Sequence, residues 1–175
     1  MATDNEVRLR KKRLTDAPDD YVWLTDPELV ELDAAQLLTI TFHRYLPIYL
    51  DEFRYPSRKR RAFAVETVEG KHVGNCSYYD INEKKGEAQL GIMIGNRDYW
   101  DKGYGTETVK ALLSHIFQET NLNRVYLKTL VSNIRAQKCF QKCGFKACGY
   151  LNKDSHHFVL MEIHRKEWEQ PLTKD

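Results

Sequence analysis

The chain has 175 residues and a mass of 20.6 kDa, with 42% hydrophobic and 30% charged residues. That is long enough to bury a core without disulfide or metal staples and too apolar for a disordered chain. The 27 Lys and Arg against 25 Asp and Glu leave a formal charge of +2, so no global field selects nucleic acid or an anionic membrane. No apolar run approaches the roughly 20 residues that span a bilayer. Met1 to Arg13 is polar and basic, without the apolar stretch of a secretory signal. Cys76, Cys139, Cys143 and Cys148 form no CxxC pair and no zinc spacing, and are expected as reduced thiols in a cytoplasm. A single domain over residues 1–175 is expected, ordered from about residue 7 to 168 with a loose tail after Trp168.

In chain order, Val7 to Arg10 alternates as a short strand. Asp16 to Leu24 reads as a helix capped by Thr15 or Asp16, with Pro18 in its first turn and Tyr21, Val22 and Leu24 on its apolar side. Asp26-Pro27 starts a turn. Ala34 to Leu38 and Ile48 to Phe53 look helical, with Pro47 interrupting that stretch. Ala62 to Thr67, Val73 to Tyr79 and Glu87 to Gly95 read as three strands of an antiparallel meander, the first two joined at Glu69-Gly70. The longest helix runs from about Thr106 to Thr120, its apolar stripe being Val109, Leu112, Leu113, Ile116 and Phe117. Arg124 to Val131 is a strand, Asn133 caps a helix through Lys142, and Gly144 takes the position after that helix where a left-handed backbone suits glycine. Phe145 to Gly149 and Phe158 to His164 are the last strands. The succession predicts an α+β domain with a mixed sheet.

The chemically informative segment is Tyr99 to Thr106, between a strong strand and a strong amphipathic helix. Gly103 and Gly105 let the backbone approach a bound group, the helix behind them offers unpaired N–H groups, and Lys102 adds a cation. Such an end binds phosphate or pyrophosphate, although a glycine pair also makes an ordinary tight turn. A P-loop is absent, and the third glycine of a dinucleotide fingerprint is Thr108.

Gly91 to Gly95 followed by Tyr99 to Glu107 resembles the acetyl-CoA motif Q/R-x-x-G-x-G/A of the GNAT N-acetyltransferases. A second block, Asn133-Ile134-Arg135-Ala136 through Phe140 to Phe145, resembles that family's N-x-x-A…Y-x-x-x-G-F, one helix and one strand further on. The resemblance covers about Leu9 to Trp168. In style it is most similar to the subgroup of ribosomal-protein N-terminal and spermidine acetyltransferases. It implies a mostly antiparallel sheet flanked by helices, with a splayed strand pair whose cleft takes pantetheine. It further implies that Ile92, Met93 and Ile94 line the pantetheine through backbone groups, with the Met93 amide polarising the thioester carbonyl. Asp101, Lys102, Gly103, Tyr104, Gly105 and Thr106 would hold the pyrophosphate. Asn133 and Ala136 would face the pantetheine arm, and Phe140 would lie near the sulfur. The implied reaction is direct transfer from acetyl-CoA to a primary amine, with no metal, no membrane and no nucleic acid as partner. A homodimer is compatible with the resemblance, but no residue demands it.

The chain departs from the pattern in three places. Trp100 stands where Gln or Arg is usual, and Asp101 puts a carboxylate beside the expected phosphates. Phe140 replaces a Tyr that protonates the leaving thiolate, and Gln89 replaces a Glu. Glu87, two residues earlier on the same strand face, is the candidate base, its other reading being a solvated strand-end carboxylate. These losses keep open the alternative of a non-catalytic acyl-CoA-binding or regulatory domain on the same fold. Tyr49 and Glu52, within the group Tyr45, Tyr49, Asp51, Glu52 and Tyr55, suit a cationic acceptor, or else pack their rings on the sheet. Cys139 and Cys143 read as near-core thiols, His156-His157 as strand-end residues, His115 as a solvated side chain and Arg58 to Arg61 as a solvated loop.

Overall fold

The computed structural model describes residues 6–170, so the expected tail from residue 171 onward lies outside them. One seven-stranded sheet organises the chain, in the order β1-β2-β3-β4-β5-β7-β6. The strands are β1 (Val7–Lys11), β2 (Arg60–Thr67), β3 (His72–Asn82), β4 (Glu87–Ile94), β5 (Arg124–Leu130), β6 (Lys146–Lys153) and β7 (His156–His164). Every pairing is antiparallel except that of β4 with β5. The helices are α1 (Ala17–Leu24), α2 (Pro27–Leu32), α3 (Phe42–Arg54), α4 (Tyr104–Glu119), α5 (Ile134–Lys142) and α6 (Arg165–Glu169). None is long and apolar enough to cross a membrane, among the described residues.

The expected stripe of α4 is its buried face: Val109, Leu112, Leu113, Ile116 and Phe117 enter the main core with Val65, Val73, Leu90, Val125, Leu127 and Met161 from the sheet. Thr108 is fully buried beside them, its hydroxyl donating to the Tyr104 carbonyl at 2.7 Å. His115, expected as a solvated side chain, is half-buried and lies edge-on to Phe63, with ring centroids 5.0 Å apart.

The region before β2 differs most from its sequence reading. Asp26-Pro27 opens α2 rather than a turn, because the Asp26 carboxylate accepts from the amides of Glu28 and Leu29. Trp23 takes the buried place in α1 expected for Val22, which is 60% exposed. Ala34 to Leu38 is not helical. Ala34 has φ +49°, and the chain leaves α2 through bonds from Ala34 N–H to the Glu31 carbonyl and from Ala35 N–H to the Val30 carbonyl. Pro47 does not interrupt α3. It sits one turn into the helix, where its missing N–H removes a single bond, and an aromatic stripe of Phe42, Tyr45, Tyr49 and Phe53 carries the helix past it. The rings at Tyr45 and Tyr49 pack with Ala17 into a second, smaller core between α1 and α3.

The last strands are longer than expected. Asp154 and Ser155 both have positive φ, the geometry of a two-residue hairpin, and join β6 directly to β7. Gly144 has φ +96° at the end of α5, as its position predicted.

Candidate active site

Strands β4 and β5 run parallel for only three rungs, Glu87–Arg124, Ala88–Val125 and Gln89–Tyr126. Beyond Gln89 they part, and among the described residues no strand pairs with the β4 edge from Leu90 to Ile94 on that side. The gap continues into a cavity of about 350 Å³ walled by Ile92, Met93 and Ile94 on one side and by α5 on the other. At its outer end lies the turn before α4. Gly103 is the residue before the helix and has φ +89°, which a side chain would strain. The first helical bond of α4 runs from the Glu107 N–H to the Gly103 carbonyl, so the amides ahead of Glu107 donate to no helical carbonyl. Those amides and the helix dipole point an electropositive end at the cavity.

The cavity gathers ten of the twelve residues expected to hold the cofactor: Ile92, Met93, Ile94, Asp101, Gly103, Gly105, Thr106, Asn133, Ala136 and Phe140. Lys102 and Tyr104 are not on its wall. The Lys102 ammonium donates to the Asp98 carbonyl at 2.6 Å, and the Tyr104 ring stands edge-on to Tyr99. In their place α5 supplies Arg135, Lys138 and Lys142, three cations that sequence reading missed. Their signal was available: positions 135, 138 and 142 recur at helical spacing opposite the buried Phe140. Trp100 has a definite job here. Its indole N–H donates to the Ile94 carbonyl at 2.7 Å, and the Arg135 guanidinium lies 3.7 Å over its ring, so it ties the end of β4 to α5. The Asn133 side chain accepts from the Ala136 N–H at 3.2 Å and starts α5. Phe140 is buried, stacked edge-on to Phe145, and offers no proton.

Cys139 lines the cavity, with Cys143 one turn on. The Cys143 thiol beside Cys139 holds the latter below the usual thiol range, against its burial, and the Thr106 hydroxyl assists. Both are partly buried, as near-core thiols should be.

Glu87 is not where a base is needed. It lies at the far end of β4, about 20 Å of strand from Met93 at ~3.3 Å per residue. Its carboxylate accepts from Arg124 at 2.9 Å, and Arg124 in turn donates to Glu162 at 2.5 Å. Glu87 lines neither cavity of the site. The parting of β4 from β5 lies beyond Gln89, so residues before it stay within the paired sheet.

A second cavity of about 520 Å³ lies on the other side of Met93. Tyr49 and Glu52 both line it. The Tyr49 hydroxyl donates to the Arg13 carbonyl at 2.9 Å, and burial pushes its phenol well above the ordinary range, so the ring alone is offered. Asp20, on the same wall, is held by Lys12 at 2.6 Å and Asn75 at 2.6 Å. Arg60, read in sequence as part of a solvated loop, also lines this cavity. Seven residues belong to both cavities: Leu32, Asp33, Ile92, Met93, Asn133, Ala136 and Phe140. Asp33 drew no attention in sequence. Asp33 is an exposed residue, and desolvation by the groups packed near its carboxyl pushes it up to about 6, opposed by the Arg60 charge.

This geometry can be compared with known proteins. The chain is 25% identical over 146 residues to an uncharacterized N-acetyltransferase p20 of Bacillus licheniformis, covering 83% of this chain and 82% of that one. It is 30% identical over 100 residues to a spermine/spermidine N(1)-acetyltransferase of Bacillus subtilis, covering 54% and 66%. Among solved structures, the spermidine N-acetyltransferase of Vibrio cholerae in complex with CoA and spermine superposes with a TM-score of 0.85 at 19% identity, over 94% of this chain and 99% of that one. That similarity shows the fold. Residues 6–146 match the family described as the acetyltransferase (GNAT) domain. With a family match across most of its length and a splayed β4–β5 pair at its centre, the chain belongs to the GNAT acetyltransferases.

Proposed function

We propose that the chain moves the acetyl group of acetyl-CoA to a primary amine by direct attack within a ternary complex. The observation that carries this reading is the junction of the two cavities at Met93: a thioester laid along β4 from one side meets an amine entering from the other. The cofactor pyrophosphate is assigned to the amides of Gly103 to Thr106, with Arg135, Lys138 and Lys142 supplying the cations. The pantetheine runs past Ile92 to Ile94 toward Asn133 and Ala136. The Met93 amide polarises the thioester carbonyl. Glu52 and the faces of Tyr45 and Tyr49 receive the cationic acceptor. Loss of the usual Tyr at Phe140 is tolerable because CoA thiolate leaves near its own pKa. Holding amine and thioester together supplies much of the rate. A cytoplasmic setting suits four cysteines that form no disulfide.

The test is thiol release from acetyl-CoA with a panel of amines, polyamines first, then aminoglycosides, N-terminal peptides and small amino compounds, alongside calorimetric binding of CoA. Release with at least one amine class is expected. Tight CoA binding with no release for any amine would leave the non-catalytic alternative standing, and failure to bind CoA would remove both.

A further inference from the structure

We propose that Asp33 is the residue that takes the proton from the acceptor ammonium. This role rests on the acetyl-transfer reading and names its missing base. Of the seven residues shared by the two cavities, Asp33 alone carries a titrating side chain. The other carboxylates are placed worse. Glu52 lines only the acceptor cavity, Asp101 only the cofactor cavity, and Asp20 is held by Lys12 and Asn75.

The backbone fixes Asp33 at this junction. Asp33 ends α2, its N–H donating to the Leu29 carbonyl at 3.1 Å. The next residue, Ala34, adopts φ +49°, a left-handed conformation disfavoured for a residue with a side chain. Two further bonds, Ala34 to Glu31 and Ala35 to Val30, hold that turn. Strain of this kind persists where the surrounding structure imposes it, and it clusters at functional sites.

The electrostatic setting suits a base. The Arg60 charge of β2 acts on Asp33, and Asp33 in turn raises the Tyr79 phenol of β3. Glu52 of α3 and Lys128 of β5 share the acceptor cavity with it, and Arg135 and Lys138 of α5 share the cofactor cavity. A carboxyl lifted to about 6 is ionised at neutral pH yet accepts a proton more readily than an ordinary aspartate. The step balances. The Asp33 carboxylate takes one proton from R–NH₃⁺, and the freed lone pair forms the N–C bond. The C–S bond then breaks with its electron pair on sulfur. The second nitrogen proton goes to that thiolate, giving the amide, CoA thiol and a neutral Asp33 that returns its proton to water.

The experiment is the pH dependence of kcat and kcat/KM for D33N and D33E beside the wild type, with the most active amine of the panel. CoA affinity and thermal unfolding of each variant are the controls. For D33N the expected result is a kcat lowered by about 10²–10⁴-fold at pH 7 with CoA affinity retained. The wild-type acid limb near pH 6 should vanish, so that the rate climbs with the fraction of free amine. D33E should keep an acid limb shifted to its own carboxyl, which decides the matter even if D33N does not fold. A D33N variant that keeps the limb, or that changes only the amine KM, would overturn the proposal, as would an unmoved limb in D33E. An inactive wild type that binds CoA would instead overturn the acetyl-transfer reading, and this role with it.

Discussion

Asp16 sits at the turn between β1 and α1 with its side chain 3% exposed. Burial alone would push its carboxyl up. Bonds from the Arg10 guanidinium at 2.7 and 2.9 Å and from the Arg13 amide at 2.7 Å, aided by the charges of His72 and Lys12, bring it down to about 2. A carboxyl lowered by folding contributes its full stability above its unfolded value near 3.8 and loses it as pH falls toward 2. Acid unfolding followed by tryptophan fluorescence should therefore steepen between about pH 4 and pH 2. D16N leaves Arg10 with Glu66 as its remaining carboxylate and should cost about 1–3 kcal/mol, with a flatter acid profile in that window. Superimposable acid profiles for the two proteins would show that Asp16 carries no such linkage.

At the scale of elements, the β3–β4 contact matters most to chemistry. A Cβ added at Gly74 would lie 2.2 Å from the Met93 carbonyl. The strands approach that closely beside the residue whose amide is assigned to the thioester. G74A must push the Met93 peptide toward the cleft or separate the strands. Its expected cost is about 1–3 kcal/mol of stability together with a fall in kcat at saturating acetyl-CoA. Denaturant melts and steady-state kinetics on the one variant test both halves. A destabilised G74A with unchanged kcat would mean that the peptide keeps its place. Elsewhere, Leu24, Tyr45 and Tyr49 of α1 and α3 belong both to the second cavity's wall and to the small core. Tyr49 belongs to both, so packing in the small core leaves its ring on the cavity wall.

At the scale of the whole molecule, the sheet is continuous at the Glu87–Arg124 end and open at the Ile94–Leu130 end. Residues from β4, the turn before α4, and α5 face one another across that opening. A ligand that bridges them binds the folded state alone. Acetyl-CoA at about 100 times its Kd should therefore add about 2.7 kcal/mol of stability, raising Tm by about 5–10 °C for a chain of this length. Thermal unfolding with and without CoA reads this directly. Charge removal at Arg135 and Lys138 should reduce the shift, and an unchanged Tm at saturating CoA would argue against a cleft that bridges the sheet's two parts.

Much of this architecture was legible in the chain. The stripe from Val109 to Phe117, the meander through Glu87, the cap at Asn133 and the turn around Gly103 are local patterns of spacing and backbone preference, and they appear where those patterns put them. The errors have physical causes too. Pro47 looked like a break because the aromatic stripe that sustains α3 is stabilised from outside the helix, by α1. Asp154-Ser155 lacked the glycine that usually announces a tight hairpin. Glu87 shares a strand face with the expected base position, but period alone does not say where β4 leaves β5. Asp33 stood in a stretch read as the approach to a helix and had no motif around it. The strands of the meander, the α4 stripe, the Asn133 cap and the glycine turn before α4 are thus determined by the sequence alone, because each rests on neighbours a few residues away. Where the sheet opens, which carboxylate faces both cavities and which is spent on an arginine were decided only in the tertiary structure, because each depends on groups far apart in sequence: Asp33 with Met93 and Phe140, and Glu87 with Arg124.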